Sequence, residues 1–410
     1  MAESQASRPD TSAPAVEKTR KPAQVISPDL KFIHDLRAGG GESLKKCYQC
    51  ATCSITCELS PADNPFPRKE MLWASWGLKD RLLADPDVFL CYQCNDCTTT
   101  CPRGARPGDV LAAVRAQVYR TFAVPSFMGA ALSSPSALLG LFVVPILVLL
   151  IMFFMQQSAG EGLGHNIGHL FSAGQVRYHH FLKHGILEGL FLAGNVLIFL
   201  LAAIGFTRYY KNLQQNSTLQ PKMGFIPAVI ATIKEIIVHK RFNQCGQNKQ
   251  RTTLHLMVLF GFFGAAATAG LALIYMVIWM GQNPGQEFPG LSLTNPIKWL
   301  GVASGLAMVI GSVSMILRRL QNTDDVGADG YADKLFLWMI LFVAGTGMLT
   351  WLLRLAGIPA IAYPVYFIHL VVVFFLLWYM PFSKFAHMIY RGLALVWANQ
   401  TGRVTPRASL

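Results

Sequence analysis

The chain has 410 residues, room for two or three domains, and 52% of them are hydrophobic against 14% charged. That balance excludes an ordinary soluble domain. The formal charge of +13 does not read as a nucleic-acid surface, because the basic residues sit beside apolar segments, where they set membrane orientation.

Residues 1–29 are rich in Ser, Ala, Pro and Lys from Ser4 to Pro28 and read as a disordered tail. No hydrophobic segment opens the sequence, so no cleavable signal peptide is expected.

Residues 30–125 hold eight of the nine cysteines in two copies of one pattern. The first is Cys47-x2-Cys50-x2-Cys53-x3-Cys57, and the second is Cys91-x2-Cys94-x2-Cys97-x3-Cys101 followed by Pro102. This is the ligand run of a two-cluster ferredoxin, in which the fourth cysteine of each motif serves the other cluster. The expected sets are therefore Cys47, Cys50, Cys53 and Cys101 for one [4Fe-4S] cluster, and Cys91, Cys94, Cys97 and Cys57 for the other. Zinc sites more often use paired C-x2-C elements than two quartets. The 33 residues between Cys57 and Cys91 exceed a minimal ferredoxin loop and include an apolar helical stretch from Met71 to Leu78. A second helix is expected from Pro107 to Tyr119, giving an α-helical two-cluster domain. Cys245 stands alone and reads as an ordinary thiol.

Six apolar runs follow, at about 136–156, 182–207, 254–280, 297–317, 334–356 and 364–382, each long enough to cross a bilayer. Lys and Arg crowd the segments 208–252 and 318–334 and the tail, whereas loop 157–181 has only Arg177 and loops 281–296 and 357–363 have none. The positive-inside rule then places both termini and the cysteine domain in the cytoplasm, where disulfides are disfavoured. The expected fold is mainly α: a cytoplasmic two-cluster domain, a six-span transmembrane domain over 126–392 and a C-terminal tail over 393–410.

Ionisable residues in spans are functional suspects. His369 and His387 are 18 residues apart, five turns of an unbroken helix and about 27 Å along its axis. One face of one helix would then carry a histidine near each membrane surface, as two stacked haems require; Pro381 lies between them. Matching by depth pairs His184 with His369 and His255 with His387; His179 and His180 rival His184, and His239 rivals His255. The competing reading is interfacial histidines bonded to backbone or headgroups. His165 and His169 read as solvated, and His34 carries no signal. Gly301 and Gly305 read as helix packing, and Arg354 as a snorkelling cation.

The cysteine half, with Cys47-Tyr-Gln-Cys-Ala-Thr-Cys and Cys91-Tyr-Gln-Cys-Asn-Asp-Cys, resembles the iron–sulfur C-subunit of heterodisulfide reductases. The membrane half is similar to their cytochrome b subunit and to the gamma subunit of respiratory nitrate reductase, which carries haem-ligating histidines 18 residues apart on its last helix. The fusion of both halves resembles the C-subunit of quinone-interacting membrane-bound oxidoreductase complexes of sulfate-reducing bacteria. That resemblance implies two [4Fe-4S] clusters, two b haems in a cytochrome b domain and menaquinone as substrate. It also implies soluble flavin- and iron–sulfur-containing partner subunits, with adenylylsulfate reductase as acceptor. Two other readings are a passive anchor for a ferredoxin domain and an ion translocator; Glu188 is the main acidic residue available to a relay.

Overall fold

The computed structural model describes residues 27–61, 64–159, 162–172, 175–217, 219–238, 249–321 and 330–403. Most of the N-terminal tail, His239, Cys245 and residues 404–410 lie outside the described residues.

The cysteine domain is built on the helix Pro107–Phe122. Proline at its first position suits a turn whose N–H would be unpaired anyway. Val110, Leu111, Val114, Val118 and Phe122 recur at helical spacing and are buried. Each such side chain contributes about 1.5–3 kcal/mol of burial. Around it pack the helix Leu30–Leu36, whose first turn is capped by the Asp29 carboxylate accepting from Phe32 N at 2.8 Å, and the helix Arg68–Ser75. The latter starts three residues before the expected apolar stretch and stops at Gly77, which is left-handed at φ 67°. A Cβ there would lie 2.9 Å from the Asp29 carbonyl oxygen, so glycine is required.

Among the described residues, six helices are long and apolar enough to cross a membrane: Pro135–Gln157, His184–Asn216, Thr252–Gln282, Pro296–Gln321, Tyr331–Ala356 and Pro359–Phe382. We number them spans 1 to 6. Leu139, Met155 and Leu320 are more than 70% exposed on this bundle, an arrangement stable only against lipid or another apolar surface. Spans 3 and 4 approach closely at Gly261 and Gly264, where an added Cβ would strike Met308 and Ser304.

Two expectations about the C-terminal part are corrected. The helix carrying His369 does not continue to His387. It ends at Tyr379, passes through two 3₁₀ turns, Met380–Phe382 and Lys384–Ala386, and a new helix runs His387–Gln400. Pro381 supplies no N–H and obstructs the carbonyl one turn back, while the Ser383 hydroxyl accepts from Phe385 N at 3.2 Å to start the next turn. The shared-face argument for His369 and His387 therefore does not apply. Nor are residues 393–403 a free tail: Ala394, Leu395, Trp397 and Ala398 are buried.

This last helix, with the C-terminal end of span 2, completes the core of the cysteine domain. Tyr390 lies 4.9 Å from Tyr209 of span 2 and 5.6 Å, stacked, from Phe89 of the cysteine domain, centroid to centroid. A buried ionic network reinforces the join. Lys69 Nζ lies 2.6 Å from Asp85, 3.0 Å from Asp87 and 3.2 Å from Glu70, and Arg403 pairs with Asp87 at 2.5 Å. Burial, with Asp85 and Asp87 beside it, pushes Glu70 well above the usual carboxylate range. Burial and Asp87 likewise raise Asp85. Two cations thus face three carboxyls, and a proton on Glu70 would balance the charge. The two halves of the chain form one body.

Candidate redox site

Both cysteine loops adopt one backbone conformation. Gln49 and Ala51 are left-handed (φ 60° and 68°), and so are Gln93 and Asn95 (φ 52° and 69°) at the same positions of the second loop. Non-glycine residues there cost about 1–2 kcal/mol each. A short helix begins directly after each loop, Thr52–Thr56 and Asp96–Thr99, and these carry Cys53 and Cys97. The thiols gather in two groups. Burial raises Cys53 to about 11, with Cys47, Cys50 and Cys101 near enough to add repulsion. Burial also pushes Cys57 and Cys97 up, with Cys91 and Cys94 beside both. Cys57, Cys91, Cys94 and Cys97 line one small cavity with Gly108 and Leu111. Crowded, buried thiols repel as anions and become stable thiolates when metal cations lie among them. Two groups of four fit two [4Fe-4S] clusters. Gln49 Nε2 donates to Cys47 Sγ, and Gln93 N donates to Cys91 Sγ, both at 3.3 Å. Such bonds raise a cluster's potential by stabilising electron-rich sulfur.

The described histidines of the membrane half are distributed over three cavities. His255, near the start of span 3, and His387 line one of about 490 Å³, walled by Ile236, Leu259, Phe263 and Val396. That volume is in the range of cofactor sites. His387 Nδ1 lies 2.8 Å from the Lys384 carbonyl, so Nδ1 carries the proton and Nε2 has the free lone pair that an iron ligand needs. His369 lines a second cavity of about 570 Å³ among spans 3 to 6. Its Nδ1 is 3.0 Å from Thr346 Oγ1, and the Thr346 hydroxyl donates to the Phe342 carbonyl at 2.5 Å. The hydroxyl proton is thereby committed, His369 Nδ1 is the donor, and Nε2 is again free to ligate. Gly347 makes room for the ring, since a Cβ there would come within 3.0 Å of His369 Cε1.

His184 is elsewhere. Its Nδ1 bonds Glu188 at 3.0 Å, and it lines a third cavity of about 680 Å³. The structure brings His255 and His387 to one cavity and does not bring His184 and His369 to one. Depth along a bundle leaves rotation about each helix axis unset, so depth matching could not fix that second pairing. His179 and His180 also line the third cavity.

One turn beyond His387, the Arg391 guanidinium donates to the Cys91 carbonyl at 2.7 Å and lies 4.4 Å over the Tyr92 ring. Arg115 donates to the same carbonyl at 3.2 Å, to the Val88 carbonyl at 3.0 Å and to the Gln93 side chain at 3.0 Å. Two arginines, one from each half of the chain, therefore hold the second cysteine loop. Tyr92 and Arg391 also line the cavity of His255 and His387.

Residues 43–105 match the 4Fe-4S dicluster domain family. The cysteine region is an iron–sulfur domain of that kind. Over 88 residues the chain is 33% identical to the C-subunit of the H(2):CoB-CoM heterodisulfide,ferredoxin reductase of Methanothermobacter marburgensis and to that of Methanothermobacter thermautotrophicus. It is 35% identical over 88 residues to a protein of Archaeoglobus profundus that is itself like the C-subunit of heterodisulfide reductase. These matches cover 21% of this chain and 47% of each relative. The chain thus spans about half the length of the curated relatives it matches. No solved structure matches it.

Sequence reasoning passed over Arg391, Tyr92 and Thr346. Arg391 had a signal, a cation four residues after a suspected ligand. Thr346 had none, because its partner His369 is 23 residues away and the contact depends on how spans 5 and 6 are rotated.

Proposed function

We propose that this chain is the membrane subunit of a respiratory oxidoreductase complex, exchanging electrons between menaquinol in the bilayer and soluble flavin- and iron–sulfur-containing subunits, with adenylylsulfate reductase as the acceptor. Cys47, Cys50, Cys53 and Cys101 would hold one [4Fe-4S] cluster, and Cys57, Cys91, Cys94 and Cys97 the other. His255 and His387 would hold one b haem; His369 would ligate a second. When bound, these groups supply one-electron chemistry, and the protein contributes spacing and potential.

The observation that carries the reading is the unbroken run from cavity to cysteine loop. His387 and Arg391 stand one turn apart on one helix, and Arg391 grips the Cys91 carbonyl. An anchor has no use for a histidine-lined apolar cavity walled on one side by the ring next to a cluster ligand. The fixed tautomers of His369 and His387 support the same reading. Basic residues flanking the spans on the cysteine-domain side favour a cytoplasmic placement of that domain.

The test is anaerobic rapid mixing of the purified chain with a menaquinol analogue, following b-haem absorbance and cluster EPR signals. The reading expects His387→Ala to stop cluster reduction by quinol while dithionite still reduces both clusters. Unchanged quinol-driven cluster reduction in His387→Ala would take the haem at His387 out of the route, and no quinol-driven cluster reduction in the wild type would leave only a ferredoxin domain on an anchor.

A further inference from the structure

Five of the chain's ten histidines fall between His165 and His184, and all five line the third cavity. Span 2 locates that cavity. It begins at His184, and Tyr209, 25 residues on, sits in the cysteine-domain core. At 1.5 Å per residue the cavity is about 37 Å from that core. The proposed electron route leaves these histidines unused.

Their geometry is specific. His179 Nε2 lies 3.1 Å and His180 Nε2 3.4 Å from the same oxygen, Glu287 Oε2. The two imidazoles are perpendicular at 4.4 Å, so side chains of consecutive residues have been turned to one point. One ligand atom from each of the three residues lies within 4.8 Å of the others. A tetrahedral zinc ion with bonds of 2.0–2.2 Å separates its ligand atoms by about 3.4 Å. The two histidine-to-Glu287 spacings are therefore near the edges of a zinc coordination tetrahedron. His184, its Nδ1 held by Glu188, stacks 5.8 Å from the His179 ring.

We propose that His179, His180 and Glu287 form a binding site for one divalent transition-metal ion of zinc-like chemistry, at the end of the bundle far from the clusters, with water completing the coordination. The ion would tie the loop between spans 1 and 2 to the loop between spans 3 and 4, which Arg354 also holds through the Pro289 carbonyl at 3.3 Å. Imidazole and carboxylate donors favour zinc over calcium or magnesium, which prefer all-oxygen shells.

The experiment uses the full chain in detergent with its iron intact, washed with EDTA and dialysed against Zn²⁺, with zinc, haem and non-haem iron measured together. The expected result is one zinc per chain in the wild type and at least tenfold weaker binding in Glu287→Gln and in His179→Gln. His165→Gln, which changes the same cavity outside the triad, should bind as the wild type does. Haem and iron should be unchanged in all variants. Glu287 is an exposed loop residue, so its substitution does not threaten folding. Absence of stoichiometric zinc, or wild-type affinity in Glu287→Gln, would overturn the site. Loss of haem in His179→Gln would also overturn it, by giving that histidine to iron.

Discussion

The two ends of the bundle hold histidines in opposite surroundings. At the end against the cysteine domain, His255 and His387 line an apolar cavity walled by Leu259, Phe263 and Val396. At the far end, His165, His169, His179, His180 and His184 share an open cavity with the exposed Glu287. The first setting is mostly apolar and holds His387 through a backbone carbonyl that leaves Nε2 bare, which suits a large planar cofactor. The second offers an anionic oxygen between two imidazoles, which suits a small hydrated cation. One residue type would thus serve two chemistries, with the neighbours deciding which.

That contrast can be broken most sharply at the apolar end. Cys97→Ala should remove one cluster and about four of eight iron atoms, read by non-haem iron analysis and cluster EPR, and the 570 Å³ cavity around His369 should be unaffected. His387→Ala should remove haem from the cavity that it shares with His255 and leave cluster iron unchanged. Retention of all haem in that variant would sink the assignment of His387.

The join between the halves gives the next largest effect. Lys69→Met leaves Asp85 and Asp87 buried with one cation, Arg403, and should cost about 3–5 kcal/mol, measured as a lower denaturation midpoint. Glu70→Gln should behave oppositely. Its carboxyl is raised in the fold, so the native state binds a proton more tightly than the unfolded chain. Stability from this group is fully present below its unfolded value and declines as pH rises toward the folded one. Gln mimics the protonated form, so the variant should match wild type at low pH and gain on it as pH rises. Equal pH dependence of the two proteins would contradict a protonated Glu70.

A smaller effect sharpens the link between cavity and cluster. Arg391→Gln removes a cation beside Cys91 and should lower the potential of one cluster by roughly 60 mV, a tenfold change in a one-electron equilibrium. The other cluster should move much less, and an EPR-monitored redox titration separates the two. Equal shifts in both clusters would indicate a general loosening of the domain.

The cysteine loops were legible because ligation is written in local spacing. The repeated Cys-x2-Cys-x2-Cys run repeats the left-handed turns at Gln49, Ala51, Gln93 and Asn95. The spans were legible because bilayer thickness sets a minimum apolar length, and six helices among the described residues meet it. The helix break at Pro381 was visible as a residue but not in its consequence, since a proline in a span can kink a helix or end it. Here it ended the helix and returned residues 387–400 to the cysteine domain. The histidine placements were the least legible. They depend on helix rotation, which is set by packing between residues far apart in the chain, as Thr346 beside His369 illustrates.

The most direct test of the central claim is the haem and non-haem iron content of the purified chain, with a dithionite-reduced visible spectrum. The account predicts two b-type haems and about eight non-haem iron atoms, the sum for two [4Fe-4S] clusters. Eight iron atoms with no haem would contradict it and leave the histidine-lined cavities without the cofactor assigned to them.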